Sequence, residues 1–326
     1  MDKHLLTEIE IKDFKCFKDF KADGFKRVNL IGGKNNVGKT ALMEACFVNV
    51  RAQNIKSFTQ SLCNIKLMRE TLNIFENLVY KKEKLKIMSD MKYSLELMDK
   101  MFTKSNINKT FFNIKDEDGI KEYIFQFNQK NIIINIKNFS FEMSKIKNIQ
   151  FINNYGLPNN HVINSYSYMQ KIDKEDLLNI ILKEFDERIE AFKIIDEKAQ
   201  CKVNGSYYEI TELGDGAGNL VSIISSLFQC KDGYIFIDEI ENGFHYSFLH
   251  KLWEIILTIS KEQNVQVFAT THSKECIESY ARVSKKLEDE DVTYIKMSKQ
   301  KDGLIYAGVR EYDILENSIS QDHEIR

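Results

Sequence analysis

Residues 33–40 read Gly-Lys-Asn-Asn-Val-Gly-Lys-Thr, and they fit the pattern GxxxxGK[ST] in full. The run FKRVNLI (25–31) before them is apolar enough for a strand, and ALMEACFVNV (41–50) after them suits a helix. Strand, glycine loop and helix in that order open an α/β layout. Glycines let backbone N–H groups turn inward onto phosphate oxygens. The new helix adds its positive end, roughly +0.5 charge. The expected nucleotide contacts are Gly33, Lys34, Asn35, Asn36, Val37, Gly38, Lys39, Thr40 and Ala41. Lys39 is expected to reach the β- and γ-phosphates of ATP, and the Thr40 hydroxyl to ligate Mg²⁺.

Two later strands carry the matching chemistry. Tyr234-Ile235-Phe236-Ile237 ends in Asp238-Glu239. Acids are compatible with a buried strand only at its exposed end, and in open α/β sheets ligands bind there. Asp238 suits a Mg²⁺ ligand and Glu239 the base that orients water. VFATTHS (267–273) repeats the design, and His272 at its end suits a hydrogen bond to the γ-phosphate. Lys39, Glu239 and His272 form the expected catalytic set.

Bulk properties exclude several alternatives. The chain has 326 residues, above the size at which one core usually stops growing, so an insertion or a second lobe is expected. With 46 basic against 48 acidic residues, bulk charge does not announce nucleic-acid binding, and DNA is left as a partner that only a local patch could bind. The six cysteines show no CxxC spacing, which argues against zinc and for reduced thiols. The N-terminal MDKHLLTEIEIKDF lacks an apolar signal region, and no apolar run approaches the ~18 residues of a membrane span. A cytoplasmic protein without a membrane partner is expected.

Along the chain, LTEIEI (6–11) alternates like a strand. Leu62, Ile65, Met68, Leu72, Phe75 and Val79 recur at helical spacing, and a lysine-rich stretch follows. Acids interrupt that stretch at Glu83, Asp90, Glu96 and Asp99, so a solvated helical face is expected there rather than a DNA track. Residues 110–137 read as a small antiparallel sheet. DKEDLLNIILKEFDERI (173–189) reads as a helix capped by Asp173, and Asn204-Gly205 as a type I′ hairpin turn. LGDGAGNL (213–220) lies between a β-like run and an apolar helical run. By itself it fits a connector, a helix cap or a ligand contact. Strand and helix signals then alternate to a closing hairpin at 292–311.

The order of these motifs resembles the ABC-type ATPase heads of the SMC, RecF and OLD proteins. IEIKDFKCFKDF (9–20) looks like their N-terminal strand, and IDEIENGFHYS (237–247) and FATTHS (268–273) are similar to stand-alone, OLD-like bacterial ATPases. The closing strand and the C-terminal HEIR are also similar. The resemblance implies a P-loop NTPase head with a mixed sheet core, formed by residues 1–51 and 149–326. Residues 52–148 would be an inserted helical arm plus the small sheet. It also implies that LGDGAGNL is the signature segment. Gly214, Asp215, Gly216 and Asn219 would then cap ATP bound to the other protomer of a homodimer or higher oligomer.

The segment departs from the family, which often has Ser where Gly214 stands and basic residues where Gly218 and Asn219 stand. Lys15 matches a basic residue that approaches the nucleotide in related heads. Neither Gln53 nor Gln150 suits a Q-loop. The implied function is Mg-ATP hydrolysis by a nucleotide-gated dimeric sensor or assembly component. Its setting would be anti-phage defence or DNA maintenance, with a separately encoded, nuclease-like effector. A non-hydrolysing nucleotide-gated scaffold and a transporter ATPase subunit are the alternatives.

Overall fold

The computed structural model describes residues 5–51, 61, 148–154, 156–157, 159–300 and 303–310, together with the backbone of four strands between 106 and 135. The expected helices of 52–105, apart from Ser61, and the C-terminal HEIR lie outside the described residues.

A six-stranded sheet forms the centre. Its strands are β3 (Val28–Gly33), β8 (Ile149–Ile152), β12 (Tyr234–Ile237), β13 (Gln266–Thr270), β14 (Val292–Lys299) and β15 (Ile305–Arg310). They lie in the order β15-β14-β3-β13-β12-β8, with only the β14–β15 pair antiparallel. The fold is therefore α/β with a mixed sheet. β3 is buried at all six positions, which is why its residues run apolar without alternation.

Both faces of the sheet are covered, and the period of two sorts side chains between two cores. Leu30, Ile235, Ile237, Val267, Ala269 and Tyr294 join one core, packed by the helices that follow β8. Ile31, Phe236, Phe268, Ile295 and Met297 join the other, under α1 (Lys39–Arg51) and the strands β1 (Glu8–Phe14) and β2 (Phe17–Asp23). On that face Phe236 stacks on Phe268 with centroids 5.3 Å apart, and Phe47 of α1 meets Phe236 edge-on at 5.5 Å. Such pairs add about 0.5–1.5 kcal/mol each beyond area burial. They fix the helix that begins at the phosphate loop.

Three small antiparallel sheets complete the strands. β1 pairs with β2 and with β4 (Asn106–Ile107). β5 (Phe111–Glu117), β6 (Ile120–Phe127) and β7 (Lys130–Asn135) form the sheet expected from residues 110–137. β9 (Ile189–Ile195), β10 (Lys198–Val203) and β11 (Ser206–Glu209) form the third, and its last turn has positive φ at Asn204 (50°) and Gly205 (81°), as expected for this hairpin.

The helices are α2 (Asn159–Lys171), α3 (Glu175–Phe185), α4 (Asp215–Gln229), α5 (Leu249–Glu262) and α6 (Lys274–Lys286). The expected cap of α3 is corrected. Lys174 is the N-cap residue and makes no side-chain cap bond, while Asp173 sits at φ 52° in the turn before it. A residue in the left-handed region belongs to a chain reversal, and here Lys174 N donates back to Met169 O to close that reversal.

Candidate nucleotide site

Parallel strands bring their C-terminal ends to one edge of the sheet. The phosphate loop follows β3, Asp238 and Glu239 follow β12, and His272 follows β13. Register bonds join these ends: Asp238 N donates to Ile152 O at 2.9 Å, Thr271 N to Ile31 O at 3.0 Å, and Ile240 N to Thr270 O at 3.0 Å.

The loop needs glycine at both of its conformational extremes. Gly33 has φ 142° and Gly38 φ 92°, and a Cβ on Gly33 would come within 2.4 Å of Met297 O. Lys34, Asn35 and Asn36 are exposed, whereas Val37 and Ala41 are buried and hold the loop to the core. Lys39 Nζ donates to Gly33 O at 2.8 Å and Lys34 O at 3.0 Å, so its ammonium lies across the loop. Burial lowers its pKa below the ordinary lysine value. Glu241, then Glu239 and Asp238, oppose that shift.

Thr40 Oγ1 donates to Asp238 Oδ1 at 3.0 Å, and Thr270 Oγ1 donates to the same oxygen at 2.6 Å. Burial raises the Asp238 carboxyl above the usual range, against the lowering effect of these two bonds. A buried carboxylate beside a threonine hydroxyl is a hard-oxygen donor pair suited to Mg²⁺, which takes one or two protein oxygens and completes its shell with phosphates and water. Among the described residues no cluster of three His, Cys, Asp or Glu side chains forms a full protein cage.

Glu239 has φ 50°, and its N–H donates to Thr270 Oγ1 at 2.8 Å. Its side chain is half exposed, at the open edge. His272 Nδ1 lies 4.0 Å from Glu239 Oε1 but only 3.2 Å from Glu241 Oε1. Glu241 is the residue that the sequence reading passed over. It is a third acid, two positions after Glu239, and only the meeting of the β12 and β13 ends gives it a partner.

Lys15 makes an ion pair with the buried Glu44, one helical turn beyond Thr40. Lys15 also stands 5.4 Å over the Phe14 ring, and Cys16 beside it abuts Gly38. The structure thus brings Lys15 to the phosphate-loop helix, with its ammonium engaged by Glu44.

The segment LGDGAGNL is mostly helix, because α4 begins at Asp215. A 3₁₀ turn at Ile210–Leu213 precedes it, closed by a reciprocal capping box between Glu209 and Glu212. Gly214 and Asp215 are exposed, and a Cβ on Gly214 would meet nothing within 4 Å. Gly216 packs directly on Gly243 in the loop that leaves β12. Asn219 is turned inward. It is only 5% exposed, and its Nδ2 donates to Asn242 O at 2.9 Å. Asn242 in turn donates to Asn154 O, so the start of α4 is tied to the loops after β8 and β12. Asn219 therefore serves this junction and does not present its amide outward as the trans reading expected.

A phosphate loop, an acid pair and a histidine at one sheet edge define a P-loop nucleotide hydrolase. Residues 157–277 match the family described as AAA ATPase domain. The chain is 25% identical over 346 residues to a Helicobacter pylori protein named ATP/GTP phosphatase, covering 91% of this chain and 93% of that protein. Among solved structures it is similar to an SMC head bound to the C-terminal winged-helix domain of ScpA, with a TM-score of 0.54 and 11% identity over 94% of this chain and 98% of that one. A Thermotoga maritima SMC head domain aligns with a TM-score of 0.44 and 14% identity, covering 94% and 99%. The matches support an ATPase, and the likeness to the SMC head with a TM-score of 0.54 shows a shared fold. No helix among the described residues is long and apolar enough to cross a membrane.

Proposed function

We propose that this ATPase works as a nucleotide-gated dimer in which each ATP is closed over by the signature segment of the opposite protomer. The supporting observation is that the start of α4 presents Gly214 and Asp215 to open space while its inner side is bonded to the loop leaving β12. Backbone N–H groups at a helix start suit a terminal phosphate. ATP is held by Gly33 to Ala41, with Lys39 swinging from the loop carbonyls to the phosphates. Thr40 and Asp238 would hold Mg²⁺, which would supply positive charge to the phosphates. Glu239 orients and polarises the attacking water, and His272 contacts the γ-phosphate. Lys15 approaches the nucleotide from the β1–β2 turn. Catalysis is mostly positioning and charge stabilisation.

The head comprises residues 1–51 and 149–326, and residues 52–148 form the inserted arm. The work of the cycle is sensing or assembly in anti-phage defence or DNA maintenance, in the cytoplasm, through a separately encoded effector. That role rests on the motif resemblance to OLD-like heads, and a neighbouring nuclease-like reading frame would support it. A neighbouring membrane permease would overturn it.

The Glu239→Gln variant tests the core of the proposal. It should bind ATP with near-native affinity, hydrolyse it at least about 100-fold more slowly, and elute as an ATP-dependent dimer in size exclusion with light scattering. Wild-type turnover by this variant would remove Glu239 as the base. A monomer at saturating ATP would remove the dimer.

A further inference from the structure

We infer that Glu241 is a positioning residue that holds His272 in place and keeps it from pairing with Glu239. The inference rests on the assignment of His272 to the ATP site. The Glu241 side chain is only 12% exposed. A carboxylate so withdrawn from water is strongly disfavoured unless hydrogen bonds hold it. Here Oε1 accepts from His272 N at 2.9 Å and Ser273 N at 3.2 Å, and lies 3.2 Å from His272 Nδ1. Ser273 is the N-cap of α6, whose hydroxyl accepts from Cys276 N at 3.1 Å. The acid thus sits at the positive end of a 13-residue helix and binds the backbone and ring of the same histidine.

With Nδ1 held 3.2 Å from Glu241 Oε1, Nε2 is the ring nitrogen left for another partner. Glu239 Oε1 lies 4.0 Å from the same Nδ1 and is the competing acceptor. A small ring rotation would engage Glu239 and occupy the carboxylate needed for water. Glu241 therefore acts on the reaction through two neighbours, one held and one left free. It is also the largest acidic influence on Lys39, which places its charge within reach of the phosphate-binding ammonium.

The test is a double-mutant cycle on the full chain, reading kcat and KM for ATP. Glu241→Gln keeps an oxygen for the two backbone N–H groups but loses the charge that holds the ring. We expect kcat to fall about 10- to 100-fold, the size of a misplacement on the order of 1 Å, with KM within about threefold. Combined with His272→Ala, Glu241→Gln should cost almost nothing further, because its effect passes through the missing ring. If the two losses multiply, or if Glu241→Gln turns over like wild type, the inference is overturned while the His272 assignment stands. If His272→Ala alone retains full kcat, the His272 assignment fails and the inference fails with it. Should Glu241→Gln not fold by circular dichroism, Glu241→Asp enters the same cycle. Its carboxylate is one methylene short of the ring, and it must show the same non-additivity.

Discussion

Gly216 and Gly218 are two residues apart on α4, and the structure predicts opposite outcomes for the same substitution. A Cβ on Gly216 would lie 2.2 Å from Gly243 O and 2.8 Å from Phe185 Cζ. The carbonyl belongs to backbone and cannot rotate away, so the loop leaving β12 must shift by on the order of 1 Å. Overpacking of this kind costs about 1–3 kcal/mol. Replacing a helical glycine by alanine returns about 0.5–1 kcal/mol, so Gly216→Ala is net destabilised. A Cβ on Gly218 meets nothing within 4 Å, so Gly218→Ala keeps the helix gain without a clash. The two variants should differ by roughly 1–3 kcal/mol, which for a chain of this length is about 1.5–4.5 °C in melting temperature. Thermal unfolding by circular dichroism reads the difference directly. If Gly216→Ala melts at or above Gly218→Ala, the close packing of α4 on Gly243 is wrong. Gly218→Ala also has a second use. Its methyl touches nothing among the described residues of this protomer, so a loss of ATPase activity in a stabilised variant points to a contact made by another chain.

Two further outcomes follow from the remaining geometry. The Arg27–Asp289 ion pair is buried on both sides, and Arg27 also donates to Ser260 and to Leu257 O at 3.2 Å. Asp289→Asn strands the guanidinium and should cost about 3–5 kcal/mol in urea unfolding, whereas a loss under about 1 kcal/mol would show the pair to be solvent-screened. Among the described cysteines Cys16 is the exposed one, and burial raises the thiols of Cys46, Cys230 and Cys276 and pushes Cys201 up to about 12. Dithionitrobenzoate should therefore label Cys16 before these four, with Cys16→Ser identifying that phase. Because Cys16 abuts Gly38, ATP should slow its labelling; equal rates with and without ATP would separate Cys16 from the nucleotide site.

Local pattern carried much of this protein. The octet at 33–40, the strands ending in Asp238-Glu239 and in Thr271-His272, and the Asn204-Gly205 turn were all legible because each depends on neighbours in the chain. Phosphate-loop chemistry needs specific residue types at fixed spacing, and a buried strand can carry acids only at its end. Strand-like runs separated by a turn likewise pointed to β5–β7, and the run SFLHKLWEIILTIS to α5.

What the sequence could not show depended on residues far apart in the chain. Whether Asn219 faces a partner or its own protomer was decided by Asn242, which follows a different strand. The rotation of α4 that buries Gly216 against Gly243 and leaves Gly214 open has no signature in LGDGAGNL itself. Lys15 is engaged by Glu44 only because β1 and α1 share a core. Glu241 is an unremarked acid until parallel pairing sets the end of β12 beside the end of β13. Spacing along the chain determined which chemistry was present. Strand register and helix rotation decided which of those side chains meet, because hydrogen-bond distances of about 3 Å are set by tertiary packing and not by neighbours in sequence.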